Sequence, residues 1–435
     1  MTNGMKPGNN ESQCSRECQE VRRFLLGEPV LFRARFSLSG RRLAGWGYLD
    51  NSSETGRWPY GGAVWETDTG KLLELYDPHM SPEMDFSAYN FVHQSEPFGH
   101  IQAHPFDEGY YDFQGSVRFP LSNSEWAVID ERKCAHRGEN SGSRHYLFNC
   151  YLWQDCQTNE EDTLLSDTIK SIEFLPKNLS VLDISADGQR LLAAQPWRDG
   201  WGNVISVWDI AGQCCVATLQ PEKNTANSGH LNTIKSARFL ANRHHTVLTI
   251  SYSSAWGAAT GTDNVAGIIW DAITGIAKVP LFCWTGNRHW DIENIHDHAL
   301  LNHGRWIALI RGDAEKDEPN DRIIKVLDTN TGEEIAVFEH PANKDGHGNH
   351  VDRIAADLDG TYLISTSTDE TFARVWDVAA NCQIARCDVG GTEVIDVDMK
   401  LIDGRVFFLT AHYQAMAVLW HLPNTGAVNG AQIIV

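Results

Sequence analysis

The sequence predicts an all-β fold assembled from seven copies of one four-stranded antiparallel unit. Three observations carry this expectation. Short runs with a period of two recur along most of the 435 residues, the pattern of a strand with one buried face. Tight-turn dipeptides such as Asp187-Gly188, Asp359-Gly360 and Asp403-Gly404 punctuate them, where glycine supplies the left-handed backbone of a hairpin. The clearest copy, residues 346–377, shows two apolar runs separated by Asp359-Gly360, a polar turn at Thr368-Asp369 and a closing run that ends on Trp376-Asp377.

The other copies follow in order. The first uses 30–36, where Phe32, Ala34 and Phe36 alternate with Arg33 and Arg35, then 43–48, 62–65 and 71–76. The second is the weakest: 116–119, 124–129 and 146–153 supply three strands, and the outer one falls either near Leu164 or within 169–174. The third runs through 179–187, 190–194, 204–209 and 214–219. The fourth begins at Gly229-His230 and closes at Trp270-Asp271. The fifth extends from Ile295 through 306–310 and 323–328 to 334–338. The sixth is 346–377 with 383–387 outermost, and the seventh takes 394–399, 406–410, 415–420 and 431–435. With 431–435 completing the seventh unit, no strand is exchanged between the chain ends; residues 21–26 are the competing strand. Residues 1–24 read as a mobile polar tail, 25–435 as the repeated domain, and 78–114 as an insertion between units one and two.

A Trp-Asp pair ends the third strand at Trp208-Asp209, Trp270-Asp271 and Trp376-Asp377, and Gly-His precedes the first strand at Gly229-His230 and Gly346-His347. This pattern resembles the WD-repeat family, each of whose repeats makes one blade of a β-propeller. The resemblance covers nearly all of residues 28–435 and implies a seven-bladed β-propeller. Elsewhere the pair decays to Trp65-Glu66, Trp153-Gln154, Leu327-Asp328 and Trp420-His421. The resemblance also implies a hydrogen-bonded network inside a blade. By position it comprises His347, Ser365 or Ser367, Asp369 and Trp376 in the sixth unit. In the fourth it comprises His230, Thr249 or Ser251, Asp263 and Trp270. Serine, histidine and aspartate together also suit a hydrolase. No G-x-S-x-G elbow accompanies them, and buried polar groups must pair with one another. The network therefore reads as structural.

Two histidines in the fifth unit, His296 and His298, stand at i and i+2, a spacing that puts both on one strand face and would suit two ligands of a metal. No third ligand stands at a clear spacing, so paired interior histidines are the preferred reading, with no metal and no cofactor expected. The carboxylates between Asp313 and Asp321 lack the glycine and the terminal glutamate of a calcium loop and read as a solvated turn.

Composition narrows the partners. Lys plus Arg total 36 against 57 Asp plus Glu, a formal charge of −21. Such a surface repels nucleic acid and anionic membrane, so neither is expected as a partner. The N-terminal segment lacks the apolar core of a signal peptide, and the ten cysteines contain no C-x-x-C pair. A cytoplasmic protein with reduced thiols is the expectation.

Loop length points to a working face. Turns between first and second strands, and between third and fourth, are short. The long segments are 50–61, 78–114, 131–145, 196–202, 252–261, 312–321 and 340–350, and all belong to the opposite face. Segment 78–114 carries Phe86, Tyr89, Phe91, Phe98, Phe106, Tyr110 and Tyr111 among six acidic residues, with no Lys or Arg. Trp58, Trp197, Trp201 and Trp256 lie in or beside the other segments. Aromatic anchors amid carboxylates suit a basic protein or peptide partner. The expected function is a non-catalytic interaction scaffold, a monomer or one subunit of a complex. The alternative is a propeller enzyme with its site at the channel mouth on that same face.

Overall fold

The computed structural model describes residues 17–25, 29–36, 40–49, 60–76, 114–118, 126–137, 144–154, 169–185, 187–197, 200–220, 233–240, 245–252, 264–284, 294–312, 322–341, 351–357, 359–367, 370–388, 390–413 and 416–422. These residues form an all-β structure in which each set of four consecutive strands pairs antiparallel. The first set is β2–β5 after a leading strand, β1 (Gln19–Leu25): β2 (Pro29–Phe36), β3 (Arg42–Leu49), β4 (Tyr60–Glu66) and β5 (Leu72–Tyr76). A second sheet holds β6 (Gln114–Arg118), β7 (Trp126–Arg137), β8 (Arg144–Gln154) and β9 (Ile169–Ser171).

An eight-stranded sheet follows. Its first half is β10 (Ser180–Ile184), β11 (Arg190–Trp197), β12 (Gly200–Asp209) and β13 (Cys214–Leu219). Its second half is β14 (Thr233–Phe239), β15 (Thr246–Tyr252), β16 (Asn264–Asp271) and β17 (Ala277–Trp284). A single paired position, Trp201↔Ile234, joins the halves. The next sheet is β18 (Asn294–Leu301), β19 (Trp306–Gly312), β20 (Ile323–Asp328) and β21 (Glu334–Glu339). It is followed by β22 (Val351–Ala356), β23 (Tyr362–Ser367), β24 (Phe372–Asp377) and β25 (Cys382–Asp388). The last sheet contains β26 (Val394–Ile402), β27 (Arg405–His412) and β28 (Met416–His421), with β1 on its outer edge. Among the described residues the sheets therefore number six, one of them double, where the sequence pattern predicts seven separate units. No helix among the described residues is long and apolar enough to cross a membrane.

Apolar clusters join neighbouring sheets. One apolar cluster joins Leu192 and Val207 to Phe239 and Trp270, and another joins Ile310 and Phe338 to Ile354 and Trp376. Phe408 and Trp420 pack with Val375 and Ala385, and Leu409 and Leu419 pack with Leu43 and Trp65. That last cluster brings the end of the chain against its beginning. Stacking of this kind buries surface that no single sheet could cover.

The closing strand corrects two expectations. Residues 19–25 form β1, so they are not part of a mobile tail. They pair along β28 from Gln19↔His421 to Leu25↔Met416. The outer edge of the last sheet is thus filled from the N-terminal side, and 431–435 lie outside the described residues. The physical reason is a few side chains with specific berths. Phe24 is buried between the last sheet and the first, its ring 5.7 Å from that of Trp65. Arg22 Nη2 donates to the carbonyl of Asp68 at 2.7 Å, and Nη1 donates to that of Thr69, both in the β4–β5 turn.

The two ends of the sheets differ. At one end the turns are tight and pack sheet on sheet. Gly360, at φ +77°, lies so close to Asn302 of the preceding sheet that a Cβ would meet its backbone nitrogen at 2.7 Å. Gly275, at φ +70°, approaches the Thr218 carbonyl equally closely. Only glycine combines that φ with that proximity. At the other end, the second-to-third connections and the links between sheets leave. Two expected loops there are strand instead. β7 and β8 remain paired to Arg137↔Arg144, and β11 and β12 to Trp197↔Gly200, so 131–145 and 196–202 are mostly hairpin. The outer strand of the second sheet, left open by the sequence, is β9.

Replacing Phe24 with alanine is expected to lower the unfolding free energy by about 3–5 kcal/mol in a denaturant titration. The exposed neighbour Val21 changed to alanine should cost less than about 0.5 kcal/mol. Equal small effects at both positions would show that β1 contributes nothing to the core.

Candidate functional site

The polar groups with defined geometry gather on the first strand of each sheet and behind the tryptophans. A β-bulge interrupts β2, β10, β14, β18, β22 and β26 near the start of each. A bulge bends the strand and re-aims the side chains beside it. Two aspartates stand directly after such a bulge, and a third lies further along its strand. Asp183 of β10 accepts the Phe239 amide of β14 at 2.7 Å and Arg238 Nε at 3.1 Å. Asp297 of β18 accepts the Ile354 amide of β22 at 3.0 Å. Asp398 of β26 accepts the Phe36 amide of β2 at 2.9 Å. Each carboxylate satisfies a backbone donor of the next first strand, so the same clamp holds three inter-strand junctions.

The junction of last and first strands carries charge as well. Arg35 Nη1 donates to Asp396 Oδ2 at 2.6 Å and to the Val397 carbonyl at 3.2 Å. Burial opposes the Arg35 charge, but Asp396, Asp398 and Asp297 outweigh it and hold the guanidinium above its ordinary range. Burial likewise pushes the Asp398 carboxyl up, against the pull of Arg35 and the amides of Phe36 and Met399.

A second set lies behind the tryptophans. Trp208 Nε1 donates to Ser206 Oγ at 2.8 Å and Trp270 Nε1 to Thr249 Oγ1 at 2.7 Å. Trp376 Nε1 donates to Ser365 Oγ at 2.8 Å, and Trp420 Nε1 to Thr410 Oγ1 at 2.9 Å. In the last two the hydroxyl also meets an imidazole: His340 Nε2 lies 2.8 Å from Ser365 Oγ, and His412 Nε2 lies 2.8 Å from Thr410 Oγ1. Behind His340 stand Glu370, 3.4 Å from Nδ1, and Arg374, whose Nε donates to Glu370 Oε2 at 3.0 Å. Arg374 Nη1 continues to Gln383 Oε1 at 2.6 Å. Burial lowers the His340 pKa despite the attraction of Glu370. Burial alone would raise the Glu370 carboxyl, yet His340 and Arg374 bring it below its ordinary value. Burial also depresses His412, to about 4. These imidazoles are neutral near pH 7, and their hydroxyl neighbours are already occupied by indole and imidazole. The arrangement stiffens a sheet; it does not present a nucleophile to solvent.

The sequence-predicted residues fall as follows. Trp270 and Trp376 hold the hydroxyls of Thr249 and Ser365, choosing between the pairs the sequence left open. His230, Asp263, His347 and Asp369 lie outside the described residues. The imidazole found beside Ser365 is His340, at the end of the preceding sheet, and the carboxylate behind it is Glu370. His296 and His298 both belong to β18, and His298 is half-buried. The bulge between Ile295 and Asp297 falls on His296, so the strict alternation that would align the two residues is broken there. Among the described residues, no three His, Cys, Asp or Glu side chains are grouped to hold a metal ion.

Of the aromatic candidates, Trp58, Phe86, Tyr89, Phe91, Phe98, Phe106, Tyr110, Tyr111 and Trp256 lie outside the described residues. Trp197 and Trp201 belong to the β11–β12 hairpin, and Trp201 is the position that pairs with Ile234 across the seam. Sequence reasoning missed Asp183, Asp297 and Asp398. Their signal was an aspartate in the middle of an apolar first strand, as in Val181-Leu182-Asp183-Ile184 and Val397-Asp398-Met399. No protein-family model and no curated protein matches this chain.

A histidine with a depressed pKa in the folded state takes up its proton more readily when unfolded. Its contribution is complete above the ordinary value of 6.5 and is lost as pH falls toward about 4 for His412. Between about pH 7 and about pH 5 the loss is roughly 2 kcal/mol. Denaturant titrations across this window should show a shallower pH slope in His412→Asn than in the unchanged protein. Identical slopes would mean that His412 keeps its ordinary pKa.

Proposed function

We propose that the chain is a seven-bladed β-propeller of the WD-repeat type, the eight-stranded sheet counting as two blades. We further propose that it is a non-catalytic scaffold holding a basic protein or peptide on the face of its long connections. The observation that carries this reading is the asymmetry of the sheet ends. At one end the connections are tight glycine turns, two of them, at Gly275 and Gly360, pressed against the backbone of a neighbouring sheet. At the other, consecutive strands part at Leu49 and Tyr60, Tyr76 and Gln114, Tyr252 and Asn264, and Gly312 and Ile323, with long stretches of sequence between them. Long connections on a rigid frame are the usual seat of recognition.

The interior supports the same reading. Asp183, Asp297 and Asp398 are engaged in clamps, and His340 and His412 share hydroxyls with indoles, which favours the connections as the seat of recognition. Residues 78–114 supply aromatic side chains among Glu83, Asp85, Glu96, Asp107, Glu108 and Asp112 with no basic residue. Together with the net charge of −21, this favours a partner rich in Lys and Arg, attracted at long range and anchored by aromatic contact.

The test is binding of immobilised protein to Lys/Arg-rich and Asp/Glu-rich peptide pools, at low and high salt. The variant in which 78–114 is replaced by a short Gly-Ser linker is run in parallel. Basic peptides should be retained and released by salt, and the variant should lose about tenfold or more in affinity at an unchanged unfolding midpoint. Retention without charge preference, or a folded variant that binds as well as the parent, would contradict the proposal.

A further inference from the structure

The residues just before β1 touch a different sheet from the one β1 completes. Glu17 forms a parallel bridge with Arg386 of β25, and the Cys18 amide donates to the Arg386 carbonyl at 2.7 Å. One step further along that register, Cys18 stands beside Cys387. Adjacent strands lie about 4.8 Å apart, within the roughly 4.4–6.8 Å Cα separation that a disulfide spans. Neighbours in a parallel register face the same way, and the burial agrees. Cys18 and Cys387 are 6% and 0% exposed, while Glu17, Gln19, Arg386 and Asp388 on either side are exposed. Both side chains enter one apolar cluster with Ala385, Val394 and Trp420, and both are free thiols. Burial, with Cys18 next to it, pushes the Cys387 thiol well above its ordinary pKa.

We propose that Cys18 and Cys387 form a reversible disulfide clasp that locks the N-terminal strand onto the neighbouring sheet. Residues 17–25 lie on sheet edges, held by strand pairing and a few side-chain berths, so peeling of this segment is the route by which the last sheet would lose its outer strand. A bond between positions 18 and 387 spans 387 − 18 = 369 positions and blocks that route covalently. Loop-closure entropy makes cross-links over long separations the most constraining.

The oxidant is a small-molecule disulfide such as oxidised glutathione, acting by thiol–disulfide exchange. When the edge segment frays, the Cys18 sulfur, as thiolate, attacks the external disulfide. A mixed disulfide forms and one external thiolate leaves. The same fraying uncovers Cys387, which loses its proton to water, attacks the Cys18 sulfur and expels the second external thiolate. Two protein thiols are oxidised, one external disulfide is reduced to two thiols, and the released protons go to those thiols. A reducing thiol reverses both steps. In the docked state neither sulfur is reachable, so the rate of locking reports the rate of fraying.

The full chain is incubated with oxidised glutathione, alkylated under denaturing conditions and digested without reduction. Mass spectrometry should find the Cys18–Cys387 linked peptide, and the intact oxidised chain should migrate faster on a non-reducing gel. Dithiothreitol should abolish both signals, and Cys18→Ala should lack both. The oxidised parent should also unfold at a higher temperature than the reduced parent, with no such difference in Cys18→Ala. Recovery of both cysteines as alkylated thiols would overturn the proposal. So would recovery of Cys18 only as its glutathione adduct, or linked to another cysteine. The peptide readout on the unchanged chain decides the matter even if a variant fails to fold.

Discussion

A stack of β-sheets with two apolar faces each leaves a bare face at either end unless first and last meet. In this protein the last sheet packs directly on the first, and one short N-terminal segment covers the seam between them. β1 pairs with β28, Phe24 enters the apolar cluster between last and first sheets, and Arg22 caps the carbonyls of the β4–β5 turn. Just before it, Cys18 lies on the edge of β25. Nine residues thus touch three sheets. The junction beneath is reinforced by the Asp398 clamp on the Phe36 amide and by the Arg35–Asp396 ion pair.

The aspartate clamps show how the sheets keep their mutual rotation. Apolar packing is nondirectional and tolerates sliding, whereas a carboxylate on a backbone amide is directional and short-ranged. Asp183, Asp297 and Asp398 repeat that contact at three junctions. A bulge directly precedes Asp183 and Asp297 and re-aims the backbone beside them, while Asp398 lies in regular register further along β26. The buried imidazoles each finish a hydroxyl that already receives an indole N–H: His412 does so within its own strand, whereas His340 reaches from the end of one sheet to Ser365 of the next. This frame engages much of the described interior polarity, and at the tight-turn end Gly275 and Gly360 pack against neighbouring backbone. What remains for recognition is the end from which the long acidic and aromatic connections depart.

Much of the frame was legible in the sequence because it is local. The hairpins at Asp187-Gly188 and Asp359-Gly360, and the strands that end on Trp270 and Trp376, follow from periodicity and turn chemistry alone. What failed was non-local. The residues of β1 carry a single buried aromatic on an otherwise polar edge, a weak pattern whose partner, some four hundred residues away, no local rule can name. Residues 431–435 have the stronger strand pattern, yet the edge belongs to β1. The imidazole beside Ser365 was sought at His347, next to a glycine. His340, at the close of the previous sheet, reaches Ser365 because adjacent sheets stack, which spacing along the chain cannot reveal. The bulge at His296 is equally silent in sequence, and with it fails the argument for a shared face with His298. The aromatic residues of 78–114 were legible as composition only.

Residues 17–25 hold three sheets together. Hydrogen–deuterium exchange, compared between the full chain and one that begins at residue 26, measures this directly. Loss of the segment should speed exchange in β28, in the first-sheet strands around the Phe24 berth and along β25, while β14–β21 exchange as before. Unchanged protection in β28, or an increase spread evenly over every sheet, would contradict it.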